Sequence, residues 1–302
     1  MKLLITGGTG FIGSALTRKL VEQNHDVTVL SRNPDSVATL CGPHVKAFGN
    51  LKQNDRDAQF DVIINLAGAP IFGAPWTTAR KKILRASRIE LTEQLLTFID
   101  QQKIKPGLLI SGSATGYYGN QGDTVLTEQS APVTDFSHEL CADWETAARQ
   151  AEQHGVRVCI IRTGLVIGPG GLLQRLLLPF KLGLGGRLGS GKQWMSWIHR
   201  QDWINLAMAM IADGSMRGTY NATAPNPVRN AEFTDALARC LKRPALLPVP
   251  GWLLKTGLGE MSQLLLGSQR VIPERLLAQG FLFEYNDLEP ALRQAIYTER
   301  NF

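Results

Sequence analysis

The amino-terminal segment constrains the fold more than any other part of the chain. Residues 2–6 read KLLIT, an apolar run typical of a buried strand, and residues 7–13 read GGTGFIG. The next segment, SALTRKLVEQNHD, carries apolar residues at helical spacing. A strand, a glycine-rich turn and a helix in this order predict the first crossover of a parallel sheet.

The glycines of this turn have the spacing of a phosphate-binding loop. Gly8, Gly10 and Gly13 fit the pattern G-x-G-x-x-G, and Gly7, Gly10 and Gly13 fit T-G-x-x-G-x-x-G behind Thr6. A side chain at the middle glycine would keep a pyrophosphate away from the backbone, and one at Gly13 would separate helix from sheet. The backbone N–H groups and the positive end of the helix dipole would then face the phosphates.

The rest of the amino-terminal half alternates strands with helices. Apolar runs at residues 26–30, 60–68, 108–113 and 156–162 read as buried strands, and helical segments separate them. This alternation predicts an α/β fold with a doubly wound parallel sheet of the Rossmann type. We expect one long helix over residues 76–102, another over 135–154, and no regular period in 172–192. A strand at 281–285 and a last helix at 287–297 complete the prediction.

The pattern also predicts two domains. Residues 1–165 would form the cofactor-binding domain, with 200–222 returning to its sheet. Residues 166–302 would form a smaller mixed α/β lobe that holds the substrate.

Composition excludes several classes of protein. The chain has 302 residues, is 44% hydrophobic, and carries a formal net charge of +6. No apolar run reaches membrane-spanning length, so we expect no membrane partner and a cytoplasmic protein. The basic run RKKILRASR reads as the solvated face of a helix, because no aromatic residues or nucleic-acid motif accompany it. The four cysteines are scattered and form no CxxC, so neither a disulfide framework nor a metal site is expected.

The end of the second strand predicts which dinucleotide would bind. A fold specific for NAD usually places Asp or Glu there to accept from the adenosine ribose hydroxyls. Here Ser31 and Arg32 stand at that point, and no acid is present. A hydroxyl and a guanidinium suit a 2′-phosphate, which a carboxylate would repel. The sequence therefore favours NADP(H) over NAD(H).

Longer strings resemble the extended short-chain dehydrogenase/reductase superfamily, which includes the sugar-nucleotide epimerases. The general matches are TGGTGFIG, NLAG, SGSATGYYG and RTGLVIGPGG. The strings SRNP, LPFKLGLGG, WIH and GSQRVIPERLLAQGF are similar to an atypical NADP-binding epimerase subgroup within it. Together these strings span nearly the whole chain.

The resemblance implies NADP and assigns residues to it. Those at the pyrophosphate would be Gly7, Gly10, Phe11, Ile12 and Gly13. Ser31 and Arg32 would meet the 2′-phosphate, Leu66 and Ala67 would lie along the adenosine ribose, Arg88 would face the cofactor, and Val166 would lie near the nicotinamide. Relatives pair through two long helices, so a homodimer is possible.

The usual catalytic pair of this superfamily is missing. A Tyr-x-x-x-Lys pair normally supplies a phenol whose pKa the lysine lowers. Counting back from Glu145 puts Ser137 at the tyrosine position and Cys141 at the lysine position. The serine of the preceding strand is retained as Ser113.

Three interpretations follow from this loss. Tyr117 or Tyr118, in the loop after Ser113, would supply the acid; otherwise they pack against cofactor or substrate. His199 and Asp202 would form an acid/base pair; otherwise they cap a helix. In the third interpretation the site binds NADPH without the usual chemistry.

The function predicted from sequence is an NADP(H)-dependent oxidoreductase or epimerase acting on a sugar-like or other small carbonyl or alcohol substrate. The alternative is a non-catalytic NADPH-binding sensor or interaction protein. Arg187, Lys192 and Trp194 are candidates for holding an anionic substrate. No nucleic-acid partner is expected.

Overall fold

The computed structural model describes residues 1–51 and 59–300 of the chain. Residues 52–58 and 301–302, which the predicted domains include, lie outside the described residues. The strands are β1 (Lys2–Thr6), β2 (Asp26–Leu30), β3 (Lys46–Phe48), β4 (Val62–Asn65), β5 (Leu108–Ala114), β6 (Val125–Leu126), β7 (Arg157–Thr163), β8 (Leu165–Ile167), β9 (Trp194–Met195), β10 (Trp197–His199), β11 (Gly218–Ala222), β12 (Val228–Arg229) and β13 (Arg270–Val271).

The helices cover both faces of the main sheet and build the carboxyl-terminal part. They are α1 (Gly13–Glu22), α2 (Val37–Cys41), α3 (Thr78–Ala86), α4 (Ile89–Gln101), α5 (Phe136–Arg149), α6 (Gly171–Lys181), α7 (Arg200–Ala212), α8 (Asn230–Leu241), α9 (Gly251–Leu258), α10 (Gln263–Leu266), α11 (Glu274–Ala278) and α12 (Leu288–Arg300). Within the described ranges, no helix combines the length and the apolar character needed to cross a membrane.

Seven of the described strands form one large sheet in the order β11-β7-β5-β4-β1-β2-β3, and every pair in it is parallel. Strand β11 forms one edge by pairing with β7 in the register Tyr220↔Ile161. The chain reverses direction across the sheet between β1 and β4, which is where open α/β sheets bind ligands. The predicted doubly wound fold is confirmed.

Alternate side chains of the central strands enter two separate cores. Leu3 and Ile5 of β1 join a core that includes Leu16 of α1 and Trp203 of α7. Leu4 points to the other face, where the core includes Leu95 of α4 and residues near the end of α5. Helices cover both faces, which explains why the strands read as continuous apolar runs.

A further core lies in the carboxyl-terminal part of the chain. It brings together Leu177 of α6, Leu237 of α8 and Leu292 of α12, with Trp197 fully buried among them. Three small two-stranded sheets, β10-β8, β12-β9 and β13-β6, connect this part to the loops at the carboxyl edge of the main sheet.

The prediction of a single helix over residues 76–102 is wrong, because the helix is interrupted between α3 and α4. Ser87 accepts a hydrogen bond from the Ala69 N–H at 2.9 Å, and Arg88 donates to the Ala69 carbonyl at 3.1 Å. The φ and ψ angles of Arg88 are −114° and −59°. The helix therefore bends where two side chains bind the loop after β4.

The expectation of no regular period in residues 172–192 is also wrong. Helix α6 occupies their first half, and its buried residues Leu173, Leu177 and Phe180 follow helical spacing. Pro179 lies in the last turn of α6. Its carbonyl accepts a hydrogen bond from the Leu184 N–H, beyond the end of the helix, at 2.9 Å. Closely spaced leucines on the exposed side conceal the buried stripe.

The strand predicted at residues 281–285 does not form. The N–H groups of Glu284 and Tyr285 donate to the carboxylate of Asp202, at 2.7 and 3.1 Å. A side chain on α7 thus takes the hydrogen bonds that a neighbouring strand would accept.

Candidate functional site

The turn between β1 and α1 has the close contacts that require glycine. Gly7 has φ +70°, and a Cβ there would lie 2.7 Å from the Leu66 carbonyl carbon. A Cβ on Gly13 would lie 2.1 Å from the Gly7 carbonyl oxygen. A side chain at either position would separate the turn from its neighbours.

The same turn leaves three consecutive backbone donors unused. In the part of the chain that the structure describes, the N–H groups of Phe11, Ile12 and Gly13 donate to no acceptor, and no side chain caps α1. The first turn of α1 contains no acidic residue. Unpaired amides at a helix N-terminus fit an anionic group such as a pyrophosphate.

A buried hydrogen-bond network fixes the loop that faces this turn. Thr6 Oγ1 donates to Asn65 Oδ1 at 2.7 Å and accepts from the Ala67 N–H at 3.2 Å. Asn65 Nδ2 donates in turn to Thr92 Oγ1 at 2.8 Å, which also accepts from the Trp144 indole at 3.1 Å. Leu66 and Ala67 therefore lie beside the glycine turn, in a position that helix α4 sets.

Ser31 and Arg32 follow β2 at the same edge of the sheet. The Ser31 hydroxyl and backbone of Asn33 form a local turn, with distances of 3.1 and 3.2 Å. Arg32 is exposed, and its guanidinium forms no ion pair or hydrogen bond within residues 1–51 and 59–300. An unpaired arginine beside a hydroxyl at this point fits a phosphate.

Arg88 is half-buried and lies just before α4, against the loop that follows β4. Its guanidinium donates to the carbonyls of Ala69 and Leu84, at 3.1 and 3.2 Å, and lies 5.5 Å from the Trp144 ring centroid. A Cβ on Gly68 would lie 2.8 Å from its Cζ, so this glycine makes room for it. Burial lowers the pKa of Arg88.

Phe11 and Arg200 close one side of the glycine turn. The Arg200 guanidinium lies 5.0 Å from the Phe11 ring centroid and donates to the Pro169 carbonyl at 3.2 Å. Burial, and to a smaller extent the charge of Arg18, lower the pKa of Arg200. Val166 lies nearby on β8, paired in register with Ile198. The sequence motifs did not reveal Arg18 and Arg200 as cations near the turn.

The three residues predicted to be catalytic occupy different environments at the end of β5. Ser113 is buried and donates to Glu145 Oε1 at 2.7 Å. Tyr118 is fully buried and donates to Asn221 Oδ1 at 2.7 Å, and burial raises its pKa to about 12. Tyr117 is only half-buried, and its hydroxyl has no partner in the described part of the chain. The raised pKa of Tyr118 is opposite to what a general acid or base needs at neutral pH.

A buried ion pair that the sequence analysis did not single out lies beneath these tyrosines. Arg162 donates twice to Glu145, at 2.8 and 2.9 Å, and once to the Tyr118 hydroxyl at 3.1 Å. Its Cζ lies 3.3 Å from the Tyr117 ring centroid. The signal available from sequence was an arginine that ends the apolar run VRVCII.

Ser137 and Cys141, which occupy the tyrosine and lysine positions of the usual catalytic pair, supply neither a phenol nor a cation. Gly116 packs against Ser137 Cβ and Cys141 Sγ, which places both near the end of β5. Burial raises the pKa of the Cys141 thiol to about 11, and the Glu145 charge adds to the rise. The cation close to the phenols is therefore Arg162, from β7.

His199 and Asp202 serve structural hydrogen bonds and are not joined as an acid/base pair. His199 caps α7 by accepting from the Gln201 N–H at 3.3 Å, and its Nε2 donates to Gln294 at 2.9 Å. Asp202 binds the two backbone amides of residues 284 and 285. The helix-cap interpretation is the one that the geometry supports.

Burial of His199 predicts a pH-dependent stability. Burial lowers its pKa to about 4, so between pH 7 and pH 5 the unfolded chain binds a proton at this residue and the folded chain does not. The free energy of unfolding should fall by about 2 kcal/mol through this group. Burial raises the pKa of Asp202 to about 6, which acts in the opposite direction.

The variant His199→Asn separates the two effects, because Asp202 is the same in both proteins. Urea unfolding at pH 7 and pH 5 should show the stability advantage of the wild type shrinking by about 2 kcal/mol. An identical pH dependence in both proteins would rule out this role for His199.

Arg187, Lys192 and Trp194, the candidates for holding an anionic substrate, differ from one another in their surroundings. Trp194 lies between the guanidiniums of Arg229 and Arg270, each 4.5 Å from its ring centroid, and its indole donates to Asp123 at 2.8 Å. Arg187 and Lys192 are exposed. The Trp194 side chain is thus held by contacts within the protein, whereas the side chains of Arg187 and Lys192 are open to solvent.

Comparison with known proteins agrees with this architecture. The family model of the NAD dependent epimerase/dehydratase family matches residues 3–223, and the model of a domain of unknown function, DUF1731, matches residues 249–295. The Epimerase family protein YfhF of Bacillus subtilis (strain 168) is 39% identical over 298 residues, which cover 98% of each chain.

Two solved structures extend the comparison. The human epimerase family protein SDR39U1 (isoform 2), crystallised with NADPH, has a TM-score of 0.89 and 32% identity, with 100% of both chains covered. The nucleoside-diphosphate sugar epimerase from Corynebacterium glutamicum has a TM-score of 0.78 and 32% identity, covering 98% of this chain and 58% of that one. The present chain therefore belongs to the NAD dependent epimerase/dehydratase family, within the extended short-chain dehydrogenase/reductase superfamily that its sequence strings resemble.

Proposed function

We propose that the chain binds NADP(H) at the turn between β1 and α1. The observation that carries the proposal is the set of three unused amides at Phe11, Ile12 and Gly13, next to a turn that only glycine allows. The NADPH present in the human relative supports the same choice of cofactor. Ser31 and Arg32 would meet the 2′-phosphate, with Leu66, Ala67, Arg88 and Val166 along the rest of the cofactor.

Arg32→Ala should separate NADPH from NADH. Loss of a guanidinium contact to a phosphate costs about 1.5 to 3 kcal/mol, so NADPH binding should weaken by at least about tenfold. NADH lacks the phosphate, and its dissociation constant should stay nearly unchanged. Isothermal titration with each dinucleotide measures both.

Arg243→Ala is the matched control, because it removes one exposed positive charge from a different part of the chain. It should leave both dissociation constants unchanged. Equal weakening of NADPH and NADH by Arg32→Ala would remove the argument for NADP specificity.

The proposed reaction is hydride transfer to or from a sugar-like or other small carbonyl or alcohol substrate, as an oxidoreductase or an epimerase. NADP(H) supplies the hydride when it is bound. Tyr117 is the protic group that the geometry favours, since its hydroxyl is unpaired among the described residues and its ring rests on the Arg162 guanidinium. Ser113 and Tyr118 donate their protons to protein acceptors, so they would position other groups.

Tyr117→Phe should lower turnover by about 100-fold or more, because a positioned acid or base contributes at least that much. The dissociation constant of NADPH should not change. Tyr118→Phe removes a buried hydrogen bond and should lower the free energy of unfolding by about 1 to 3 kcal/mol. The rate of NADPH oxidation with a panel of small carbonyl compounds tests the first expectation, and urea unfolding tests the second. An active Tyr117→Phe variant would exclude Tyr117 from the chemistry.

The environment of Ser113, Tyr117 and Tyr118 also favours a second function, an NADPH sensor with little turnover. Two of these three candidate protic groups already donate to protein acceptors, and the Tyr-x-x-x-Lys pair is absent. Tight NADPH binding without oxidation by any member of the panel would favour this function over the first.

The remaining assignments follow the sequence. We propose that residues 1–165 and 200–222 hold the cofactor, that residues 166–302 hold a small-molecule substrate, and that the protein is cytoplasmic. A homodimer through the helices of residues 76–102 and 135–154 would be detected by analytical ultracentrifugation.

A further inference from the structure

Two neighbouring segments of the carboxyl-terminal part form one exposed apolar surface. The N–H groups of Leu247 and Val249 donate to the carbonyls of Gly185 and Arg187, at 3.2 and 2.9 Å. The Gly189 N–H donates back to the Val249 carbonyl at 2.8 Å. Residues 185–189 and 247–249 therefore lie side by side. We call the exposed apolar side chains on these two stretches and on the residues that adjoin them, within 178–189 and 246–253, the leucine surface.

The leucine surface consists of large side chains that the fold does not cover. Leu246 is 79% exposed and Trp252 is 69% exposed. Helix α9, which carries Trp252, has no buried residue. The main members are Leu178, Leu182, Leu184, Leu246, Leu247 and Trp252. Such a concentration of exposed apolar side chains marks an interaction site.

The charged residues within the segments that carry this surface are all positive. Residues 171–192 contain four Lys or Arg residues and no acid, and residues 242–258 contain three and no acid. The ion pairs of the described residues use none of these seven cations. Of the acids near the edges, Glu260 pairs with Lys81 and Glu289 with Arg239. The exposed Asp235 lines the same cavity as Leu246, Lys242 and Arg243.

We propose that the leucine surface binds the surface of a bilayer that contains anionic phospholipids. Leucine and tryptophan side chains would enter the interface, and the surrounding lysines and arginines would meet the headgroup phosphates. A second copy of the chain is a poorer occupant, because each surface carries seven cations on its own segments against one neighbouring acid, Asp235, so two such surfaces would repel one another.

This proposal departs from the expectation of no membrane partner. That expectation came from the absence of a membrane-spanning run, and binding at the interface needs none. The proposal goes beyond the proposed cofactor and does not depend on it.

Co-sedimentation of the full chain with vesicles tests the proposal. Phosphatidylcholine vesicles are compared with vesicles of phosphatidylcholine and phosphatidylglycerol in a ratio of about 7:3, at low and high salt. We expect at least about tenfold more binding to the anionic vesicles, since each Lys or Arg near such a surface contributes about 1 kcal/mol. High salt should remove most of that difference.

Two variants locate the contact. Trp252→Ser with Leu246→Ser, and separately Lys181→Glu with Lys255→Glu, should each lower binding by about tenfold or more. The controls are Leu282→Ser, an exposed apolar position outside the surface, and Lys82→Glu with Arg217→Glu, which change the net charge equally. The controls should bind as the wild type does. Thermal melting shows whether each variant remains folded.

Three results would overturn the proposal. One is equal binding to neutral and anionic vesicles, or no binding to either at low salt. Another is the same loss of binding in the control variants. The third is a dimer in analytical ultracentrifugation that the Trp252 and Leu246 substitutions dissociate, because the occupant would then be a second copy.

Discussion

Replacing Arg162 with methionine is expected to lower the free energy of unfolding by about 3 to 5 kcal/mol. The side chains of Arg162 and Glu145 are each only 5% exposed, and the guanidinium donates to both carboxylate oxygens. Without Arg162, the Glu145 charge stays buried with the Ser113 hydroxyl as its hydrogen-bond donor and with Arg149, 4.0 Å from Oε2, as its nearest cation. Equilibrium unfolding in urea measures the loss.

The double variant Arg162→Met with Glu145→Gln shows whether the buried Glu145 charge, left without Arg162, causes the loss of stability. The amide that replaces the Glu145 carboxylate would keep an acceptor for Ser113 but bury no charge, so the double variant should be more stable than Arg162→Met alone. The matched control is Arg85→Met, which removes an arginine paired with a different acid of α5, Asp143. That pair is nearly half exposed, and its loss should cost less than about 1 kcal/mol. Equal losses at Arg162 and Arg85 would contradict the account.

Replacing Gly13 with alanine should abolish dinucleotide binding. The added Cβ would lie 2.1 Å from the Gly7 carbonyl oxygen, so the turn and α1 must move apart. The unpaired amides of Phe11, Ile12 and Gly13 would then be displaced, and NADPH binding should weaken by about 100-fold or more, the equivalent of about 3 kcal/mol.

Gly10→Ala separates an effect on NADPH binding from an effect on folding. Among the described residues, the only atom near its added Cβ is the Gly7 carbonyl oxygen at 3.1 Å, so the protein should remain folded. NADPH binding should still weaken by about tenfold, since the methyl group would stand where the pyrophosphate is proposed to approach. Gly214→Ala, where an added Cβ meets nothing within 4 Å in the described part of the chain, is the control and should bind normally. Wild-type affinity in Gly10→Ala would mean that the cofactor lies elsewhere.

The main sheet was predictable because its signals are local. Each buried strand is a continuous apolar run, and the glycine turn has a fixed spacing, as β1, α1 and β4 show. The break before Arg88 could not be predicted in this way. Its cause is a contact with Ala69, nineteen residues earlier in the chain.

The glycine turn and the polar residues after β2 were easier to predict than the buried cluster of Glu145 and Arg162. Gly7, Gly13 and Arg32 belong to one crossover, so their spacing carries the information. Glu145 and Arg162 come from α5 and β7 and meet only in the folded sheet. The raised pKa of Tyr118 likewise depends on burial, which the sequence YY cannot show.

The central claim is that the chain binds NADP(H). Its most direct test is isothermal titration calorimetry of the purified wild-type chain with NADPH and, separately, with NADH. The account predicts saturation at one NADPH per chain, with NADH at least about tenfold weaker because it lacks the phosphate that Arg32 would bind. No detectable binding of either dinucleotide would contradict it.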